Sequence, residues 1–200
     1  MEGQEERQSL AARAFRASVR RWYARQGWSE ERTIPAERKF VIIAAPHTSN
    51  WDFLFFLGVA EKLDMPLSFM GKEKLFRWPF GRFMRDLGGI SVDRSRSTNM
   101  VDQMVAEFKK RDTFMLAIAP EGTRGKVRQW KTGFYHIAMG AGVPLVCGLM
   151  DYARKRGGLG PAIWPTGDYE ADMAQVSAYY RQCTPKYPDK GNVGLIGSGA

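Results

Sequence analysis

The sequence predicts a single layered α/β domain, with a mostly parallel or mixed central sheet flanked by helices and a basic amphipathic helix ahead of it. Three observations predict this class. Apolar runs of strand length alternate with segments of helical period. The 200 residues, 44% of them hydrophobic, suffice for one buried core. Glycine-rich and charged segments fall directly after the strand-like runs, at the sheet edge where α/β folds bind ligands. The expected organisation is a helix and linker over 1–39, a main domain over 40–184 and a flexible, glycine-rich tail over 185–200. No internal repeat or second domain is evident.

From Ser9 to Arg25, the stretch SLAARAFRASVRRWYAR sets Leu10, Phe15, Val19, Trp22 and Tyr23 near one side of a helix, with arginines over the remainder. Two roles fit this pattern: packing on the core, or lying on an anionic membrane with Arg among the headgroups. A polar linker around Glu30–Glu37 follows, then a buried strand at Phe40–Ala45. Helices are expected at Asn50–Leu63, Phe76–Leu87, Met100–Lys110, Gly133–Gly140 and Glu170–Gln182, the fourth ended by Gly140-Ala141-Gly142. Further strands are expected at Pro66–Met70, Gly89–Val92, Phe114–Ala119 and Val143–Met150. Arg154–Gly160 reads as a basic, glycine-rich loop.

The formal charge of +9 and pI of 9.7 favour anionic partners: nucleic acid, acidic carrier proteins, phosphorylated metabolites or anionic lipid. Cys147 and Cys183 lie far apart with no metal-ligand spacing, so no disulfide framework or metal site is indicated, and a reducing cytoplasm is the plain reading. No run reaches the roughly 18 to 20 apolar residues a bilayer span requires, so any membrane contact is expected to be peripheral. The Arg-rich N-terminus also carries Glu2, Glu5 and Glu6, and is read as part of the mature protein rather than a transit peptide.

Three segments carry candidate chemistry. In PHTSNWD, Ser49 and Asp52 have the spacing of a helix capping box, and an Asp in the first turn suits the helix dipole. That account leaves His47 unexplained. Asp52 folded back toward His47 would fix the imidazole tautomer and favour the imidazolium, making the pair a general base. In APEGTRGK, Gly122 and Gly125 free backbone amides, and Arg124 can grip two oxygens, which suits a phosphate; a solvated turn is the plainer alternative. In GGISVDR, a strand again ends in a cation, Arg94, and a surface Asp93–Arg94 pair is the simpler account. His136 sits inside a predicted helix with no nearby carboxylate, a structural position. Lys131, Trp130 and Phe134 either line the site beside Arg124 or belong to the core.

These residues resemble the glycerolphosphate and lysophosphatidate acyltransferases of phospholipid synthesis. The resemblance runs in order from about Phe40 to Gly148: His47 and Asp52 match the family's His-X4-Asp block, GGISVDR its second block, APEGTR its Pro-Glu-Gly-Thr-Arg block and GVPLV its fourth. Two positions depart from the common pattern, Pro46 where many members have Asn and Ala119 where Phe is frequent. The resemblance makes 40–184 an acyltransferase domain. It implies His47 as the base on an acceptor hydroxyl, Asp52 as its orienting partner and Lys72, in GKEKLF, as a group at the thioester oxyanion. It further implies Arg94 and Arg124 on the acceptor phosphate, and Glu121, Gly122 and Thr123 shaping the acceptor site. It implies no metal and no cofactor beyond acyl-CoA or acyl-carrier protein as donor, a lysophospholipid acceptor such as 1-acylglycerol-3-phosphate, and peripheral attachment to the inner face of a membrane. Competing readings are another lysolipid or glycerolipid acceptor, an acyl-ester hydrolase, or a non-catalytic binder of anionic lipid or nucleic acid.

Overall fold

The computed structural model describes residues 8–31, 34–92 and 97–191. In chain order the elements are α1 (Leu10–Ala24), β1 (Ser29–Glu31), β2 (Lys39–Ile43), α2 (Asn50–Lys62), β3 (Leu67–Lys72), α3 (Gly81–Asp86), β4 (Gly89–Val92), α4 (Ser97–Lys110), β5 (Phe114–Ile118), α5 (Gly133–Ala141), β6 (Leu145–Asp151), β7 (Arg156–Ile163) and α6 (Tyr169–Tyr180). The strands form one sheet in the order β1-β7-β6-β2-β5-β3-β4. The pairs β2–β5, β2–β6, β3–β5 and β3–β4 are parallel, while β7 runs antiparallel to β6 and carries β1 parallel at its outer side. The expected α/β class is therefore present, with a mixed sheet.

The central strand β2 explains why its sequence, KFVII, is a continuous apolar run. Phe40, Val41, Ile42 and Ile43 are fully buried, because helices cover both faces of the sheet. Val41 and Ile43 face one layer with Phe108, Phe134, Ile137 and Val176 of α4, α5 and α6. Phe40 and Ile42 face the other with Phe55 and Val59 of α2 and Tyr23 of α1. Each such side chain contributes on the order of 1.5–3 kcal/mol by leaving water. The resulting rigid sheet fixes the loops at its carboxyl edge.

Helix α1 packs on the core, as the first of its two possible roles requires. Ala12, Val19 and Tyr23 are buried. Gly58 of α2 admits the Tyr23 ring, which lies 2.7 Å from where a Cβ would stand. Arg16 ion-pairs with Glu61, and the Ser9 N–H donates to the Asp86 carboxylate at 2.9 Å. Phe15 meets Phe83 edge-on at 5.5 Å. Most of the apolar face is thus committed to protein, with Leu10 left exposed at its start, and the arginines Arg13, Arg20, Arg21 and Arg25 stay exposed.

The structure corrects several expected boundaries. Phe76–Leu87 is not one helix: a 3-10 turn over Glu73–Phe76 precedes α3, because Pro79 lacks an N–H and disfavours helical backbone before it. Arg154–Gly160 is largely strand β7 rather than loop. Its glycines allow close packing: a Cβ on Gly157 would stand 2.6 Å from Val59, and one on Gly158 would meet Glu31 at 2.6 Å. The polar segment after Trp28 starts with β1, held by pairing of Ser29–Glu31 with Arg156–Gly158 and by a Glu31–Arg156 ion pair. Of the tail, residues 185–191 are described and 192–200 lie outside the described residues. Among the described residues, no helix is long and apolar enough to cross a membrane.

Candidate active site

Strand β2 ends at Ile43 and helix α2 begins at Asn50, so PHTSNWD forms the turn at the carboxyl edge between the two strands β5 and β6. Ser49 caps α2: its Oγ accepts the Trp51 N–H at 3.1 Å, and Asp52 completes the capping box. The box also builds the carboxylate's cage. Asp52 Oδ2 accepts the Thr48 and Ser49 N–H groups at 2.7 and 2.8 Å, and Oδ1 accepts the Ser49 hydroxyl at 3.0 Å. His47 Nδ1 stands 3.4 Å from Asp52 Oδ2, an ion-pair separation of the kind that tightens when a substrate seats. Capping and histidine orientation are functions of one carboxylate.

Electrostatics follow from these contacts. Burial alone would raise the Asp52 pKa, but the bonds from His47, Tyr152 and Ser49 outweigh it and hold the carboxyl below its ordinary value. Asp52 is therefore ionised at neutral pH. With Nδ1 turned to that anion, Nε2 is left as the proton acceptor. The His47 side chain is 24% exposed against 8% for Asp52, so a reactant can reach the imidazole while water is kept from its partner.

Glu121 enters from the loop after β5. Its Oε1 accepts the His47 backbone N–H at 2.9 Å, clasping the two loops together. Its Oε2 is buried with no hydrogen-bond partner among the described residues. Burial pushes its pKa up to about 7, with the His47 backbone bond and the His47 charge opposing the rise. Gly122 turns the loop at φ +64°, where a Cβ would crowd Lys131 Cε and Nζ at 3.2 Å. The Lys131 ammonium thus lies over this turn, whose carbonyl at Pro120 accepts the Lys131 N–H at 2.9 Å. Thr123 and Arg124 are exposed on the same loop.

The remaining expected residues separate. Lys72 is the exposed last residue of β3, at the same sheet edge, and its side chain makes no hydrogen bond or ion pair among the described residues. Arg94 lies outside the described residues. His136 is exposed on α5. Trp130 and Phe134 are core residues, 5% and 1% exposed, so they do not line the site.

Tyr152 joins the site without a motif to announce it. It follows β6, the other neighbour of β2, and its hydroxyl donates to Asp52 Oδ1 at 2.6 Å. Its ring meets Trp28 and Phe55 edge-on at 5.0 and 5.5 Å. The one signal in the sequence is a tyrosine just beyond a buried strand-like run. Thr184 O accepts the Tyr152 N–H at 2.9 Å, Thr48 Oγ1 accepts the Tyr187 N–H at 3.3 Å, and Lys186 Nζ lies 5.5 Å from the Trp51 ring centre. The described part of the C-terminal segment therefore rests against the His47–Asp52 turn.

The family model described as Acyltransferase matches residues 28–150. The 1-acyl-sn-glycerol-3-phosphate acyltransferase of Escherichia coli K12 is 32% identical over 112 residues, 52% of this chain and 44% of that protein. Its namesake from Haemophilus influenzae is 30% identical over 142 residues, 64% of this chain and 58% of that protein. The chain thus spans about half the length of the curated relatives it matches. The crystal structure of the 1-acyl-sn-glycerophosphate acyltransferase PlsC from Thermotoga maritima shares the fold, with a TM-score of 0.59 at 19% identity over 91% of this chain and 82% of that one. A match over more than half the sequence, on the strands and loops that carry the His47–Asp52 pair and Glu121, establishes that this chain belongs to the Acyltransferase family.

Proposed function

We propose that the protein moves a fatty acyl group from an acyl thioester to the hydroxyl of a lysophospholipid, with 1-acylglycerol-3-phosphate as the preferred acceptor, in phospholipid synthesis. The observation that carries this reading is the reachable imidazole of His47, held at Nδ1 by the buried, ionised Asp52, in a chain of this family. The relatives' names support the acceptor.

In the reaction, His47 Nε2 takes the proton of the acceptor hydroxyl as its oxygen bonds to the thioester carbonyl carbon. The tetrahedral intermediate collapses, the C–S bond breaks, and the proton on Nε2 passes to the departing thiolate. Asp52 stays ionised throughout and stabilises the transient imidazolium. Glu121 keeps the histidine loop in place through the His47 N–H. Arg124 grips the acceptor phosphate with Lys131 beside it, Arg94 adds a second guanidinium, and Gly122 and Thr123 shape the floor of that site. Lys72 faces the thioester oxyanion. The donor is acyl-CoA or acyl-carrier protein, both acidic and suited to a basic surface. No metal or further cofactor takes part in this scheme, and the protein works peripherally on the cytoplasmic face of a membrane.

The test is transfer from labelled acyl-CoA and from acyl-carrier protein to lysophosphatidate on anionic vesicles, comparing wild type with His47→Ala. A loss of about 10²- to 10⁴-fold in a variant with unchanged circular dichroism is expected for removal of a general base. Equal rates in the two proteins would overturn the mechanism. Release of free fatty acid by wild type in the absence of acceptor would instead identify a hydrolase.

A further inference from the structure

Between β3 and α3 the chain turns three large apolar side chains into solvent: Leu75, Trp78 and Phe80 are 48%, 93% and 67% exposed. So close a group of exposed apolar residues marks a contact surface more often than chance. The segment is firmly anchored. Phe76, 7% exposed, points inward, and its ring approaches to 2.7 Å of where a Cβ on Gly71 would stand and to 2.9 Å for Gly89. Its carbonyl lies 2.0 Å from the Cβ position of Gly81 and accepts a bond from Arg85 Nη2 at 3.5 Å. Only glycine at these three places lets Phe76 seat, and its seating projects its neighbours outward.

The surroundings are cationic. Lys72, Lys74, Arg77, Arg82 and Arg85 are all exposed. Glu73 is the one carboxylate between Lys72 and Arg85, and it is paired with Arg77 at 3.1 Å. An aromatic tip ringed by Lys and Arg is the chemistry of a bilayer interface, with rings at the headgroup boundary and cations on lipid phosphates.

We propose that the Leu75–Phe80 loop seats the protein on an anionic bilayer, with Trp78 and Phe80 inserted at the headgroup level. Its position suits that role. Strand β3 lies parallel beside β5, whose following loop carries Glu121, so the seat leaves the same edge of the sheet as His47. A bilayer engaged there meets the catalytic edge. Helix α1, the other amphipathic element, has most of its apolar face occupied by α2 and α3, through Tyr23 on α2 and Phe15 on Phe83, and exposes only Leu10 of that face in full. The choice of a bilayer over an acidic protein rests on the lysolipid-acylation reading.

The experiment is flotation of the whole chain with vesicles of phosphatidylcholine alone or mixed with phosphatidylglycerol. The double variant Trp78→Ala with Phe80→Ala is compared with Lys74→Ala with Arg77→Ala and with Arg20→Ala with Arg21→Ala on α1. Brominated lipids provide a second readout through the fluorescence quenching lost in Trp78→Phe. The aromatic variant is expected to partition about tenfold less onto anionic vesicles. Both loop variants should lose more than the α1 variant, and transfer to a monodisperse, short-chain lysophosphatidate should be retained. Unchanged vesicle binding by the aromatic variant overturns the proposal. So does unchanged vesicle binding together with lost binding to acyl-carrier protein, which would identify an acidic protein as the occupant. If wild type acylates no lysolipid but the loop variants still lose vesicle binding, the proposed activity fails and the membrane seat stands.

Discussion

Replacing Tyr152 by Phe removes one oxygen and leaves the ring against Trp28 and Phe55, so it isolates the hydrogen bond to Asp52. That bond, at 2.6 Å, is the shortest of those Asp52 accepts, and Asp52 is buried, so water does not readily replace it. A hydrogen bond to a charged group of this kind is worth about 1.5–3 kcal/mol. For a domain of this size the loss corresponds to a fall in Tm of about 3–12 °C. If about half the lost energy bears on the orientation of His47 in the transition state, kcat for acyl transfer falls by about 3- to 13-fold. The effect on stability has a defined pH dependence. The folded Asp52 pKa lies below the ordinary carboxylate value of 3.8, so its contribution is present above that value and is lost as the pH falls through the folded pKa. The gap in Tm between wild type and Tyr152→Phe should therefore be full at neutral pH and close in acid. Calorimetry across that range, with single-turnover acyl transfer at neutral pH, tests both parts. Equal Tm and equal rate at neutral pH would refute the reasoning, and a gap that persists undiminished in acid would show that the hydroxyl acts on something other than the Asp52 carboxylate.

Glu121→Gln should change the pH dependence of stability with the opposite sign. Burial raises the folded Glu121 pKa to about 7, so this residue's contribution is full below its unfolded pKa and is lost as the pH rises through the folded value. Urea unfolding should shift in favour of the variant by up to about 3 kcal/mol between acid and mildly alkaline pH, and a constant difference would disprove it. Gly58→Ala places a methyl 2.7 Å from the Tyr23 ring and should cost about 1–3 kcal/mol in urea unfolding by prising α1 from α2; a gain in stability would show that α1 is not held there. Arg124→Ala should raise the KM for lysophosphatidate about tenfold with kcat little changed, as loss of a charge-assisted phosphate contact requires, and an unaltered KM would remove Arg124 from the acceptor site.

The residues legible from sequence are those whose partners are near in the chain. Ser49 and Asp52 are three residues apart, so the capping box could be read directly and the Asp52 contact with His47 inferred from it. Glycine content was a poorer guide. Gly157 and Gly158 suggested a loop, yet they serve the close approach of β7 to Val59 and Glu31. Pro79 lies inside the segment expected to be one helix, and the break it imposes is a local property of the residue.

By itself the sequence determined the alternation of strands and helices, the capped turn after the first buried strand and the cationic character of the surface, because hydrophobic period, capping and charge are local properties. Tertiary structure alone decided what that turn faces. Glu121 reaches the His47 N–H across 74 residues and Tyr152 reaches Asp52 across 100, contacts that exist because β2 lies between β5 and β6. It also decided that α1 spends most of its apolar face on the core while Trp78 and Phe80 remain in solvent. Periodicity shows that a helix has an apolar side, and only the packing of the whole chain determines what covers it.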